Sequence, residues 1–579
     1  MIEMGVPRSA ATQQHSITVV NLRLAGPLAD VAGEANVRND LIAAVSSAID
    51  ETATTLGVQA TLEVSIDLAA EPPTDTAPQL LGITLNGVRC RYPALTPRLA
   101  RLVQSENRLD DTSFAWTSPW PVDIGAAEDV PSIVRLVSAE ALALRPSALL
   151  TAEVLDRYMD DVAATVSGVE SLRDQRSWVG EVLRTVLDQR ISIADHERVG
   201  ALLCAAEEEN ATDAAELLVA DLARTTIGLR LPDDFGEDLG SGNLGDPDDL
   251  LAFVLKSLYE ETGLVFPRID FERPAANQPA RSFAARINDL VTAPSWMPPP
   301  DLIMVNETPE QICSIVDVRF SAINPATLKP NSMVAASAQE ILENAGYTTW
   351  TQAQYVTLQL AAWMRRFAGA LVTQDQVLGQ LESLEPGWPA VVHAARGQLG
   401  PALLTQLVRR LANDAVPLRH LPALLERVVD LPAMDLGLGK YAIVTDPVAS
   451  PQGADQAPLS EFERVESWVR TGLRNYIADA AAPDPGTLVA YLLTPEIESI
   501  LVQNKRSPAD EDRLVSAVDA ELAQLPSAAR TPAILTSSRA RPALRDLLWA
   551  SHPLVRVLAH DDLPASTVVQ PIARIGAGD

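Results

Sequence analysis

Apolar and polar positions alternate along "SITVVNLRLAGPL" from Ser16 and again along "RTTIGLRLPDDF" from Arg224, each time for the length of one strand before a Pro-containing loop. Behind each strand, "VRNDLIAAVSSAIDETATTLG" and "PDDLLAFVLKSLYEETG" carry apolar residues at three- and four-residue steps, the spacing of an amphipathic helix. Extended runs follow, "VQATLEVSIDL" and "LVFPRIDF", and then the hairpin-like "LLGITLNGVRCRY" and "SFAARINDLVTA". Asn86-Gly87 suits a two-residue turn, and Asn288-Asp289 takes the matching place. Helical spacing returns in "VLRTVLDQRISIADHERVGALL" from Val182 and "LVRRLANDAVPLRHLPALLERV" from Leu407, each broken midway by "ISI" or "VPL". The shared order predicts a tail at 1–15 and two related blocks, a partial one at 16–225 and a longer one at 226–579.

Only the second block ends in "TPAILTSSRARPALRDLLWASHPLVRVLAHDDLP", Thr531 to Pro564, which predicts strand, helix and strand. Ser537 or Ser538 is expected to cap that helix, and Pro542 falls in its first turn, where a missing N–H costs little. Pro417 fixes φ at a sharp bend between two helices. "LGLGKYAIV", before the Pro-rich stretch from Asp446, is expected to form a small strand arm. The fold class is α/β of the mixed α+β kind: several subdomains with small sheets, helical parts and a terminal β-α-β unit.

Charge narrows the function classes. The chain has 76 Asp and Glu against 45 Lys and Arg, a net charge of -31. That excess disfavours nucleic acid as a partner, because polyanion affinity comes from clustered cations that release counterions. It equally disfavours an anionic membrane surface. Cys90, Cys204 and Cys313 are too far apart for a CxxC ligand pair, and an odd count makes no disulfide framework, so free thiols in a reducing compartment are expected. "MIEMGVPRSAATQQHS" has no signal-peptide core, and "LQLAAWMRRFAGALV" is interrupted by Arg365 and Arg366, so a cytoplasmic protein without membrane insertion is expected.

Candidate chemistry is sparse. "GSGNLG" (Gly240, Gly242, Gly245) satisfies GxGxxG, but Asp233, Asp234, Glu237, Asp238, Asp246, Asp248 and Asp249 crowd it and would repel a pyrophosphate. The alternative is an acidic loop with Asp246 or Asp248 capping the next helix. His15, His196, His393, His420, His552 and His560 are scattered, and "HDD" at His560 is too local to converge on one metal. The chain shows no HExxH, GxSxG, P-loop or EF-hand pattern. Trp350, Tyr355 and Trp363 sit near helical spacing and are read as core. No catalytic residue, cofactor or metal is therefore expected, and the protein is not read as an enzyme. One anion contact stays open at "SSRARP": Ser538, Arg539 and Arg541, beside helix-terminal amides.

From about Leu229 to Ile575 the second block resembles the cytoplasmic region of the FHIPEP family, the flagellar and type III secretion export-gate proteins. Ser538, Arg539, Arg541-Pro542, Leu544-Arg545 and Leu563-Pro564 match its closing unit, "ENAGYTTWTQAQYV" its Ala-Gly-Tyr-Thr start of a long helix, and Val416-Pro417-Leu418-Arg419 the bend of its helix pair. The resemblance implies a first subdomain at about 226–313 and 335–370, a small inserted one at 314–334, a helical one at 371–485 and the β-α-β one at 486–579. It implies a non-enzymatic, secretion-related scaffold with protein partners and a possible homo-oligomeric ring, and here the family's membrane half is expected to be missing. The family's partner-binding depression would fall on Asn324, Thr327, Leu358 and Gln359. Asn324 stands for an acid there and Thr327 for an aromatic, departures that would change the partner. Two other classes remain: an anion- or nucleotide-sensing regulator using the terminal unit, and an enzyme with an unrecognised site.

Overall fold

The computed structural model describes residues 17–25, 35–59, 61–69, 81–85, 88–90, 130–168, 170–232, 235–240, 242, 249–276, 278–279, 281–327, 330–431, 460–482, 486–503, 507–523, 525 and 532–576. The "LGLGKYAIV" arm and the Asn86-Gly87 turn lie outside the described residues.

The first sheet has strand order Thr61–Ala69, Ile17–Ala25, Leu81–Leu85, Val88–Cys90. Ile17–Ala25 pairs in parallel with Thr61–Ala69, across the helix Ala35–Leu56, and antiparallel with Leu81–Leu85. A second sheet repeats this order and these directions with Arg268–Glu272, Thr226–Arg230, Ser282–Ile287 and Leu290–Val291, its crossover being Leu250–Thr262. Ser295–Trp296 adds to the second sheet beside Ser282–Ile287. A parallel pair needs a crossover connection, which is why each block spends its first helix between its first two strands.

The likeness extends to single residues. Gly57 and Gly263 each end the crossover helix at positive φ, 75° and 76°. A Cβ on Gly57 would fall 2.2 Å from the Ala194 Cα, and one on Gly263 2.0 Å from the Arg419 backbone nitrogen. Ala194 and Arg419 hold the same place in the two broken helix pairs. Those pairs, Arg176–Asp188 with His196–Ala205 and Pro389–Asn413 with Leu421–Val429, break at left-handed residues in matching places: Arg190 at φ 63° and Ala415 at φ 53°. Arg184 donates to the Leu150 carbonyl and Arg409 to the Val372 carbonyl. Thr151 and Thr373 cap the helices that follow, accepting from the amides of Val154 and Gln376. Losing one cap costs about 1 kcal/mol, so Thr151→Ala and Thr373→Ala should each lower the local opening free energy by that amount in their own block, read by hydrogen exchange of Ala152–Thr165 and Gln374–Leu384.

Among the described residues, two further sheets occur in the second block alone. One is small: Val318–Ile323, Pro330–Ala335, Leu302–Val305, Thr349–Trp350. The other is fully parallel, Val557–Ala559, Ala533–Thr536, Thr487–Leu493, Val568–Ile575, and so builds the β-α-β reading into four strands. Its helix Arg541–Leu548 starts with Pro542 in its first turn and has no side-chain cap; the Ser537 hydroxyl accepts from the Ala540 amide one turn earlier. Asp249 caps Leu250–Thr262, its carboxylate accepting from the Ala252 amide; Asp246 and Asp248 lie outside the described residues. Tyr355 and Trp363 are buried, as core residues should be.

One apolar core runs from the first sheet through the second to Trp363 and Phe367. Polar contacts cross the same boundary. Arg190 donates to the carbonyls of Ala143 and Leu290 and lies 4.2 Å from the Phe367 ring centre. Asn288 donates to Gln189 and Ala370. Glu216 on Ala211–Leu222 forms a buried ion pair with Arg409. No described helix is long and apolar enough to cross a membrane.

Candidate functional site

The strongest concentration of buried charge joins the helix pair to the terminal sheet. Asp414 follows the helix Pro389–Asn413 and presents its carboxylate, 3% exposed, to three arginines. Arg541 lies at 2.5 Å, Arg470 at 3.0 Å and Arg545 at 3.1 Å. Arg470 also pairs with Asp562 at 2.6 Å, and Arg541 with Glu466. Burial alone would raise the Asp414 pKa, but Arg541, Arg470, Arg545 and Arg410 together outweigh it and hold the carboxyl well below its usual range. Arg541 and Arg545 stand one turn apart on Arg541–Leu548, so the Arg-Pro-x-Leu-Arg spacing aims both guanidiniums at one acid.

Beside this network lies a cleft of about 130 Å³. The outer end of Gln352–Arg366 supplies Arg365 and Arg366, the second sheet's crossover helix supplies Glu261, and the terminal unit supplies Arg545, Trp549 and Arg556. Pro325 and Ala326 close one side. Arg365 forks onto Glu261 at 2.8 and 2.9 Å. Arg366 donates to the Ala550 carbonyl and faces Glu140 at 3.9 Å; burial pulls its pKa down to about 10, against Glu140. Burial also lowers Arg556, with Glu261 opposing.

The residues expected to form a partner site divide. Asn324 is buried and accepts from the Ala326 amide, which makes a tight turn out of Asn324-Pro325-Ala326. That turn exposes Thr327 and puts Pro325 and Ala326 on the cleft. Leu358 is half-buried against the main core; Gln359 is buried and accepts from the Ser295 hydroxyl at 3.4 Å. Thr327 and Leu358 therefore keep surface to offer, and Asn324 and Gln359 shape what lies behind. At the expected anion contact, Ser538 donates to Asp561 and Arg541 is 2% exposed, engaged by Asp414 and Glu466. Arg541 therefore points into the protein. Gly240 packs on the Asp249 carboxylate, where a Cβ would stand 2.4 Å from its carboxyl carbon. No group of three His, Cys, Asp or Glu among the described residues could hold a metal.

The FHIPEP family model matches residues 205–568. Protein hrpC2 of Xanthomonas euvesicatoria is 23% identical over 244 residues, which are 40% of this chain and 33% of that protein, so the chain spans about a third of this relative's length. The structure of the Chlamydia pneumoniae CdsV protein superposes with a TM-score of 0.50 at 19% identity, covering 60% of this chain and 97% of that one. The structure of the CdsV and CdsO protein complex from the same organism gives the same values. At that identity the likeness is one of fold.

Proposed function

The chain belongs to the FHIPEP family, and from that premise we propose that it is a non-catalytic docking scaffold for proteins handled by a secretion-related assembly. The observation that carries this reading is a second sheet and broken helix pair, of the same strand order and directions as those of the family module, set beside it. A second unit of the same arrangement enlarges the surface that a partner can meet. CdsV forms a complex with CdsO, and the corresponding expectation for this chain is a protein partner at the turn that exposes Thr327. A homo-oligomeric ring and a cytoplasmic location belong to the same proposal, as do the block boundary near 225 and the subdomain limits implied by the resemblance.

The test is affinity capture from the native host with the full chain, compared with Thr327→Arg and Ala326→Arg variants. A charged side chain at an interface anchor costs about 2 kcal/mol or more, so recovery of the captured proteins should drop at least tenfold. Recovery unchanged in both variants would remove the Thr327 surface from the proposal. Light scattering of the purified chain checks the ring: a monomer at all concentrations rules it out.

A further inference from the structure

In a chain whose net charge is -31, the cleft beside Pro325 and Ala326 is locally cationic. It is lined by Arg365, Arg366, Arg545 and Arg556 against Glu261 and Asp414. Three of these arginines are engaged. Arg545 serves Asp414 and the carbonyls of Asn413 and Val555, Arg365 serves Glu261, and Arg366 serves Ala550 and faces Glu140. Arg556 differs. Arg556 lines the cleft half-buried, its charge beside Glu261 and Arg545, and its guanidinium has no hydrogen-bond acceptor among the described residues. Among the described residues the acid acting on Arg556 is Glu261, which is already held by the fork from Arg365.

Resting on the docking reading, we propose that this cleft receives the carboxylate of one acidic side chain of a protein partner, with Arg556 as its principal donor. Size argues for a side chain. A volume of about 130 Å³ holds roughly four waters and is well below the roughly 300–1,000 Å³ of pockets that take whole small molecules. A nucleotide does not fit. Chemistry argues for a carboxylate, because a guanidinium out of bulk water forms its strongest bonds with a planar oxyanion. The surroundings argue for a polypeptide over a free anion: Pro325, Ala326, Pro553 and the exposed Leu554 form an apolar rim that neighbouring residues of a bound segment can cover. The net negative charge repels acidic partners at long range, so recognition here is short-range, and salt near 0.15 M, with its screening length of about 8 Å, favours it.

Two substitutions move binding in opposite directions. Arg556→Gln removes the donor without breaking any hydrogen bond among the described residues. Glu261→Gln keeps the shape and releases the field of Arg365 and Arg556 into the cleft. The probes are an acetylated, amidated pentapeptide Ala-Leu-Glu-Leu-Ala, its Gln counterpart, and inorganic phosphate, titrated into the full chain at 0.15 M salt. The Glu peptide should bind at least tenfold tighter than the Gln peptide; Arg556→Gln should abolish that ratio and Glu261→Gln should increase it. Circular dichroism and melting temperature verify that both variants are folded. Equal binding of the two peptides, a ratio unmoved by either substitution, or phosphate binding as tightly as the Glu peptide would each overturn the proposal. Loss of host-protein capture in Thr327→Arg together with an unmoved peptide ratio would leave the docking scaffold standing and remove only its acidic anchor.

Discussion

Asp414→Asn should weaken the join between the helix pair and the terminal parallel sheet by about 3–5 kcal/mol, the usual cost of stripping one partner from a buried ion network. The substitution preserves shape and removes the charge. Arg541 and Arg545, 2% and 8% exposed, would lose the carboxylate they share, and Arg470 would keep only Asp562. Asparagine can still accept a hydrogen bond, but it also buries an amide donor among guanidiniums that cannot accept one. A chain of this size will not unfold as one unit, so the effect should appear as earlier hydrogen exchange in Arg541–Leu548 and Val557–Ala559, with the first sheet unchanged. Acid supplies an independent check. The native carboxyl is held below its unfolded value of about 3.9. Its contribution is therefore fully present above that value and is lost as pH falls toward the depressed native one. The gap between wild type and Asp414→Asn should close below pH 4. A gap that is constant with pH would show that ionisation of Asp414 does not hold the join. Combining Asp414→Asn with Arg545→Met should recover part of the loss, because one orphaned charge goes with it.

What the chain's pattern disclosed follows from range. Alternation in "SITVVNLRL" and helical spacing in "LLAFVLKSL" are local, and both elements stand where the pattern puts them. The repeated order of strand, helix, strand and hairpin was legible for the same reason, and it reappears as two sheets of identical order. Caps were less legible. Asp246, Asp248 and Asp249 are equally good capping residues by type, and nothing local to the sequence marks Asp249 as the one that accepts from the Ala252 amide and packs on Gly240. The Ser537-Ser538 pair looks like a helix start, but a turn intervenes and Ser537 closes that turn. Charge was least legible. Arg541 beside a Ser-rich turn reads as an anion contact until Asp414, 127 residues earlier, is found against it. Nothing in "RRLAN" before Asp414 marks it as a buried acid. The cleft joins five separated segments, and no short window of sequence contains two of them.

Gly57→Ala and Gly263→Ala should be about equally damaging, each confined to its own block, and this pairing is the sharpest test of the duplication. Both residues lie in the left-handed region, where a Cβ costs roughly 1–2 kcal/mol, and both press on the backbone of a helix pair. An atom 2.0 or 2.2 Å from backbone cannot be absorbed by rotating a side chain, so the helix pair must move. Overpacking of that kind adds about 1–3 kcal/mol, and the total is about 2–5 kcal/mol for either variant. Hydrogen exchange separates the two: Gly57→Ala should loosen Ala35–Leu56 and His196–Ala205, and Gly263→Ala should loosen Leu250–Thr262 and Leu421–Val429. Ala293→Gly, at another buried position of the second sheet's surroundings, controls for a general loss of stability, since it removes a methyl and adds no clash. If one glycine tolerates alanine and the other does not, the close approach is not shared, and the likeness of the two blocks reduces to strand order. If both fail in parallel, each block keeps one mechanical joint, a glycine-capped crossover helix seated on the bend of a helix pair. That joint fixes the angle between sheet and helices, and in the second block the same helix carries Glu261 to the rim of the cleft.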